Sequence, residues 1–237
     1  MDVSQALRTR RSVRAFTAQV PSAPLVQQLL QDAAQAASGG NLQPWRAVAI
    51  SGAPLAQLLE AVQTMPAPLE DIASYPPNLW EPYRTRRFVN GEELYRCIGI
   101  PREDKPARLR QLAKNAQLFG APVGIFVFID AGMGQPQWLD VGIYLQSLML
   151  RATEEGLATC AQGFWRRYTQ LLRAQLQIPE PYTLACAVAL GYEDVQAPIN
   201  ALRTVHSFDP CTACAVHITE PATGKSFETV TSPWGVK

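Results

Sequence analysis

Histidine is almost missing from this sequence: His206 and His217 are the only two, both late in the chain. A Ser-His-Asp or Cys-His hydrolytic centre would have to be assembled from the tail alone, which sets nucleophilic hydrolysis aside. Net charge is nearly absent as well, at +1 with 17% charged residues. That balance excludes the electrostatic footprint of a nucleic-acid binder, an acidic tail and disorder. Long apolar runs are lacking too. The longest tracts, Val123 to Ile129 and Trp138 to Leu150, are too short or too interrupted by Asp140 and Gln146 to span a bilayer, so no membrane partner is expected. No glycine-rich loop ends in Lys-Ser or Lys-Thr, and Gly132 with Gly134 lacks the third glycine and acidic partner of a dinucleotide fold. The five cysteines, Cys97, Cys160, Cys186, Cys211 and Cys214, are odd in number and scattered, and polar residues stand where a secretory apolar stretch would lie. Both features point to a reducing cytoplasm.

What is present is a chain of 237 residues, 47% hydrophobic, enough for a full core in one domain or a domain plus an arm. The expected partner is a small molecule or a second copy of the chain. The basic residues are unevenly chosen: 17 of the 21 are Arg, and Arg8, Arg10, Arg11 and Arg14 crowd the start. A planar guanidinium fork suits a phosphate.

Periodicity predicts helices over Asp2 to Thr9, from a Ser22 cap to the stop at Gly39 and Gly40, over Pro54 to Gln63, Gly91 to Ile98, Glu103 to Phe119, Gln137 to Glu155 and Thr169 to Gln177. Strands are predicted at Ala47 to Ile50, Val123 to Ile129 and Thr183 to Leu190. The long helix beginning at Gln137 is apolar nearly all round, which puts it in the core or at a subunit interface. Met65 to Tyr83 holds five prolines beside Leu79 and Trp80 and reads as a lid over a site. Strands separated by helices, with helices in excess, give an α+β or α/β sandwich. Ala215 to Thr219 and Ser226 to Val230 read as a hairpin.

With few titratable catalysts available, the hard chemistry should come from a cofactor. Four stretches fit that requirement. Arg10, Arg11, Ser12 and Arg14 can fork onto a phosphate and set a cation near a ring edge, although a solvated basic turn would look the same. Ser38, Gly39, Gly40, Asn41, Gln43, Pro44 and Trp45 form a helix exit whose small residues admit a ligand while Asn and Gln supply amides. Cys160 to Phe164 connects the central helix to the next, with Gly163 freeing a backbone amide. Asn200, Leu202 and Arg203 follow the Gly191-Tyr192 strand end, where one more arginine can complete a phosphate clamp. The tail also holds His206, Cys211, Cys214 and His217, two histidines bracketing a Cys-x-x-Cys and the one constellation resembling a zinc site. Its spacing is tighter than usual finger patterns, and no metal is assigned to it.

In this order the stretches resemble the nitroreductase family of FMN enzymes. The resemblance runs from Arg10 to about Arg203, through Arg10 to Arg14, Ser38 to Trp45, Gly120 to Val123, Leu145 to Ser147 and Leu190 to Tyr192. Trp80 to Arg87 and Gly91 to Ile98 resemble a branch with an extended excursion near the active site. The resemblance implies a three-layer α+β sandwich with a central mixed sheet flanked by helices in an intertwined homodimer. It implies a domain over residues 1–205, with a lid at about 65–100, and a 206–237 arm or hairpin packing on the partner. Arg10, Ser12 and Arg203 would hold the FMN phosphate and ribityl chain, Arg11 would add backbone contacts, and Arg14 would stand at the pyrimidine edge. Ser38, Gly39, Asn41 and Gln43 match a stretch whose first three positions reach the other subunit's flavin, while Gln162 and Gly163 would present backbone amides to flavin N5. Gln162 replaces the acidic residue of many relatives, and Ala37 and Ala201 stand where some have proline and lysine.

The implied activity is hydride transfer from NAD(P)H through the flavin to a small nitroaromatic or quinone-like acceptor, in ping-pong order on one shared face. The same fold also hosts enone reduction, dehalogenation and flavin cleavage, and a flavin binder without turnover is a further alternative.

Overall fold

The computed structural model describes residues 1–65, 75–204 and 206. The chain divides into two units, Met1–Leu202 and Arg203–Lys237. The predicted hairpin and Cys211, Cys214 and His217 lie outside the described residues.

Local chemistry sets the elements of the first unit. Asp2 accepts the Gln5 N–H at 2.7 Å and caps helix α1 (Val3–Thr9). Ser22 does the same for α2 (Ala23–Ala33), accepting the Leu25 N–H, and Pro24 in its first turn sacrifices no helical hydrogen bond. Strand β1 (Trp45–Ser51) leads into α3 (Gly52–Thr64). Helices α4 (Tyr83–Cys97) and α5 (Lys105–Ala113) come next among the described residues. Strand β2 (Val123–Asp130), the long helix α6 (Gln135–Glu154), β3 (Ala158–Gln162), α7 (Thr169–Leu176) and β4 (Tyr182–Gly191) follow.

The four strands are ordered β1-β2-β4-β3, and every ladder is antiparallel. The expected mixed sheet is corrected in this respect, since the parallel pairing among the described residues is a single bridge, Ser12 to Thr159. An unbroken apolar strand reports that both of its faces are covered, not which way its neighbours run. Both faces are covered here. Alternation along β2 sends Val123, Ile125, Val127 and Ile129 into one core with α2 and α6, and Phe126 and Phe128 into another with α3 and α7. Helices, sheet and helices therefore form three layers, the α+β sandwich that the resemblance implied.

Three local expectations change. The stretch from Cys160 is not a connector: residues 158–162 are edge strand β3, too short and too mixed in polarity to announce itself. Helix α4 begins at Tyr83, eight residues before the predicted start. The helix predicted from Glu103 to Phe119 ends at Ala113 and tightens into a 3-10 turn over Lys114–Gly120, where Leu118 and Phe119 take φ of 48° and 54°. Both side chains are buried, so packing against Gly124 and the α3 core outweighs the backbone preference. Helix α6 buries one stripe, Asp140, Val141, Tyr144, Leu148 and Ala152, and leaves Leu139 71% exposed on another side.

Candidate functional site

The arginine segment is zipped onto the edge of the sheet. Val13 is buried and donates its N–H to the Thr159 carbonyl of β3 at 3.0 Å, while the Thr17 N–H reaches the Tyr192 carbonyl just past β4 at 2.9 Å. Residues 10–17 thereby follow the ends of two neighbouring strands. Asn200, in the last turn before the second unit, fixes the register. Its Oδ1 accepts the Arg14 N–H at 2.9 Å, and its Nδ2 donates to the carbonyls of Ala15 at 2.8 Å and Asp194 at 2.9 Å. One buried amide thus bonds three backbone groups, in the arginine segment and in the turn after β4.

The arginines divide into two kinds. The Arg11 guanidinium is tied to the Glu193 carboxylate, which latches the segment to the end of β4 and leaves only backbone atoms for the contacts expected of it. Arg10 and Arg14 have no carboxylate partner among the described residues, and the Arg14 side chain does no more than donate to the Ser12 carbonyl at 3.2 Å. Two partly buried cations held beside a strand end, with no counter-charge among the described residues, are chemically suited to an anion.

The charges of Arg14 and Arg10, with Ser12, also act on the buried thiol of Cys160 in β3. Burial holds this thiol above its ordinary pKa. The Arg14 charge, a hydrogen bond from Ser12 and the Arg10 charge pull the other way and lose.

At the far end of β3, Gln162 is buried and its Nε2 donates to both the carbonyl and Oδ1 of Asn115 at 3.1 Å. Its side chain is thus turned into the protein, and Oε1 is buried without a partner. Gly163 follows, exposed, and a Cβ built there would meet nothing within 4 Å. A planar ligand can approach its backbone without displacing protein atoms.

The Ser38–Gln43 turn hangs on a different element. Gly39 donates its N–H to Asp140 Oδ2 of α6 at 3.3 Å, and the Ser38 hydroxyl accepts the Gln43 N–H at 3.0 Å. Gly40, Asn41 and Gln43 all take positive φ, at 58°, 57° and 48°. Asn tolerates this region, whereas Gln43 pays about 1 kcal/mol, part of it recovered through Nε2 donating to the Asn41 carbonyl at 3.2 Å. Gly39, Asn41 and Gln43 are exposed, so the turn presents amides outward. Arg203 is the exposed first residue of the second unit, directly after buried Leu202.

Asn115, Asp140 and Glu193 were not among the candidates. Asp140 had a signal in the sequence, a carboxylate inside an otherwise apolar helix. Asn115 and Glu193 had none, since they reach their partners only through the fold. No group of His, Cys, Asp and Glu among the described residues is placed to hold a metal ion.

This geometry can be compared with known proteins. The sequence profile of the nitroreductase family matches residues 7–192. The chain belongs to the nitroreductase family. It is 35% identical over 205 residues to a 4-nitrobenzoate reductase of Pseudomonas putida, covering 85% of this chain and 90% of that one. It is 32% identical over 205 residues to a nitrobenzene nitroreductase of Ectopseudomonas oleovorans, covering 84% and 90%. Among solved structures, an FMN and NADPH-dependent nitroreductase NfnB from Sphigopyxis sp. strain HMH superposes with a TM-score of 0.81 at 39% identity, over 87% of this chain and 95% of that one. The FMN-dependent NfnB of Mycobacterium smegmatis in complex with NADPH gives 0.80 at 26% identity, over 92% of this nitroreductase and 100% of the other. A second profile, described as nickel-dependent hydrogenase, matches residues 181–217. Over 38 residues the chain is 47% identical to a quinone-reactive Ni/Fe-hydrogenase large chain of Wolinella succinogenes, 16% of this nitroreductase and 6% of that protein.

Proposed function

We propose that this nitroreductase is an FMN-dependent oxidoreductase that takes hydride from NAD(P)H and reduces nitroaromatic acceptors. The observation that carries the reading is the Arg10–Arg14 segment: in a nitroreductase fold, two guanidiniums without a carboxylate partner among the described residues lie beside β3, whose far end opens at Gly163. Bound FMN supplies two-electron chemistry that no side chain here can perform. The chain's own part is to hold and polarise it. Arg10 and Ser12 are the phosphate and ribityl ligands on this reading, and Arg14 places a fixed cation where negative charge develops on reduction. Gln162 and Gly163 offer main-chain amides, with the Gln162 side chain turned aside onto Asn115. Arg203 is assigned by its position in the sequence alone.

An absorption spectrum tests this directly. Purified protein is expected to be yellow, to bleach when NADPH is added anaerobically, and to regain its colour on addition of 4-nitrobenzoate. Colourless protein, or a yellow band indifferent to NADPH, would overturn the proposal. The three free cysteines described, Cys97, Cys160 and Cys186, are in keeping with a reducing cytoplasm.

The working unit on this reading is a homodimer. Val3 and Leu7 of α1 are 70% and 53% exposed, Leu42 55%, and Leu139 and Ile143 of α6 71% and 45%. Helix α1 lies against α6, and the Ser38–Gln43 turn is anchored to α6 through Asp140, so these apolar groups belong to adjoining elements. A second copy covering them would carry Ser38, Gly39, Asn41 and Gln43 to its partner's flavin. Sedimentation is expected to give twice the 26.0 kDa chain mass, and Leu139→Asp to shift the protein toward monomer and lower its flavin content. A wild-type monomer that retains full flavin would overturn this.

A further inference from the structure

Gly163 opens the 3-10 turn Gly163–Tyr168. At three residues per turn, side chains three positions apart eclipse one another, so the turn has three rows. Two rows show as ring contacts: the Trp165 and Tyr168 centroids lie 5.8 Å apart, and the Arg167 Cζ stands 4.6 Å from the centroid of Phe164. The third row is Gly163 and Arg166. Arg166 therefore stands over the exposed glycine, where a Cβ would meet nothing within 4 Å. We propose that Arg166 sets the specificity of the acceptor site: its guanidinium holds a carboxylate on the aromatic acceptor, so that the substrate class is carboxylated nitroarenes in preference to neutral ones. This rests on the flavin reading, which puts the reacting atom at Gly163.

Arg166 is half-buried, its Nε is buried without an acceptor, and no carboxylate among the described residues pairs with it. Arg108 and Arg173, also half-buried, each hold one, Glu92 and Glu180. What Arg166 has instead is an aromatic face, with its Cζ 5.4 Å from the centroid of Trp138. Trp138 stands on α6 two residues before Asp140, which anchors the Ser38–Gln43 turn. Arg166 thus belongs to the end of the fold where the flavin reading gathers its backbone amides. A ring attracts a guanidinium without neutralising it, and leaves its N–H donors for an acceptor. The result is a full charge on a planar fork in partly desolvated surroundings, and one fork matches the two oxygens of one carboxylate. A carboxylate on the acceptor ring is the anion nearest the reacting atoms, because a ribose separates the phosphates of NADPH from its nicotinamide.

The test compares 4-nitrobenzoate with its methyl ester, which has the same ring without the charge, on one flavin-loaded preparation. Protein bleached anaerobically with NADPH is mixed with each acceptor, and the second-order rate constant for recovery of the flavin absorbance is measured. The wild type is expected to react with the carboxylate at least about tenfold faster than with the ester. Arg166→Gln removes a charge-assisted pair and should lower this ratio by about 10- to 100-fold. Arg166→Lys keeps the charge without the fork and should recover part of the ratio. Arg167→Gln removes the same charge from the neighbouring row and should leave the ratio at its wild-type value. Since each ratio is taken within one preparation, lost flavin or partly unfolded protein cancels from it. A wild-type ratio near one, a ratio unmoved by Arg166→Gln, or one lowered equally by Arg167→Gln would each overturn the inference. So would an Arg166→Gln variant that slows bleaching by NADPH without moving the ratio, because the cation would then serve the dinucleotide. Protein that bleaches yet shows no preference for the carboxylate sinks this inference alone, whereas protein that does not bleach takes the flavin reading down with it.

Discussion

Replacing Arg10 and Arg14 together with alanine is expected to lower the affinity of the apoprotein for FMN by roughly 10²- to 10⁴-fold. A hydrogen bond to a charged group contributes about 1.5–3 kcal/mol, two are removed, and each 1.4 kcal/mol is about tenfold. The estimate counts only lost attraction, because neither guanidinium has a carboxylate partner among the described residues that would be stranded by its loss. Arg11→Ala makes the control. It removes the partner of Glu193 and should act on stability more than on FMN, since that side chain faces the β4 end rather than a ligand. Quenching of FMN fluorescence on titration with apoprotein gives the affinities, and a urea melt gives the stabilities. Unchanged FMN affinity in the double variant, with Arg11→Ala the weaker binder, would reverse the assignment.

The largest loss of stability is expected from Trp165→Ala, at about 3–5 kcal/mol in urea unfolding of the FMN-free protein. Trp165 is fully buried, with ring centroids 5.5 Å from Phe126, 6.3 Å from Phe164 and 5.8 Å from Tyr168. It therefore ties the 3-10 turn after Gly163 to the central strand β2. Alanine would open a cavity that these three rings and the α3 helix cannot all collapse into. Phenylalanine should cost much less, because the indole Nε1 is buried without a hydrogen-bond partner and its removal relieves an unmet donor. A Trp165→Phe variant as unstable as Trp165→Ala would show that shape, rather than buried volume, governs the site.

These two expectations differ in how far the sequence alone supports them. The arginines announced themselves, because four guanidiniums in fourteen residues of a nearly neutral chain call for an anion. Trp165 did not, since nothing in the run from Gly163 to Tyr168 distinguishes a core indole from one stacked on a ligand. The same contrast runs through the fold. Helices α1 and α2 were legible down to their caps because Asp2 and Ser22 act on N–H groups three residues away. Strand β2 was legible because seven consecutive residues are buried. Strand β3 was not, because an edge strand of five residues is held by its partner β4 more than by its own pattern. The 3-10 turn ending α5 was equally hidden: buried Leu118 and Phe119 adopt left-handed backbone that their residue types disfavour.

Composition, cap residues, the arginine cluster and the order of the motifs by themselves determined the resemblance to the family, the helix-and-strand sandwich class and the need for a cofactor, because each depends on contacts within a few residues or on residue type. Tertiary structure alone decided that the sheet is antiparallel, that Arg11 belongs to Glu193 while Arg10 and Arg14 meet no carboxylate among the described residues, and that Gln162 turns inward to Asn115. Those outcomes depend on which groups meet across tens of residues, and pairing energies between distant segments leave no mark on either segment read separately.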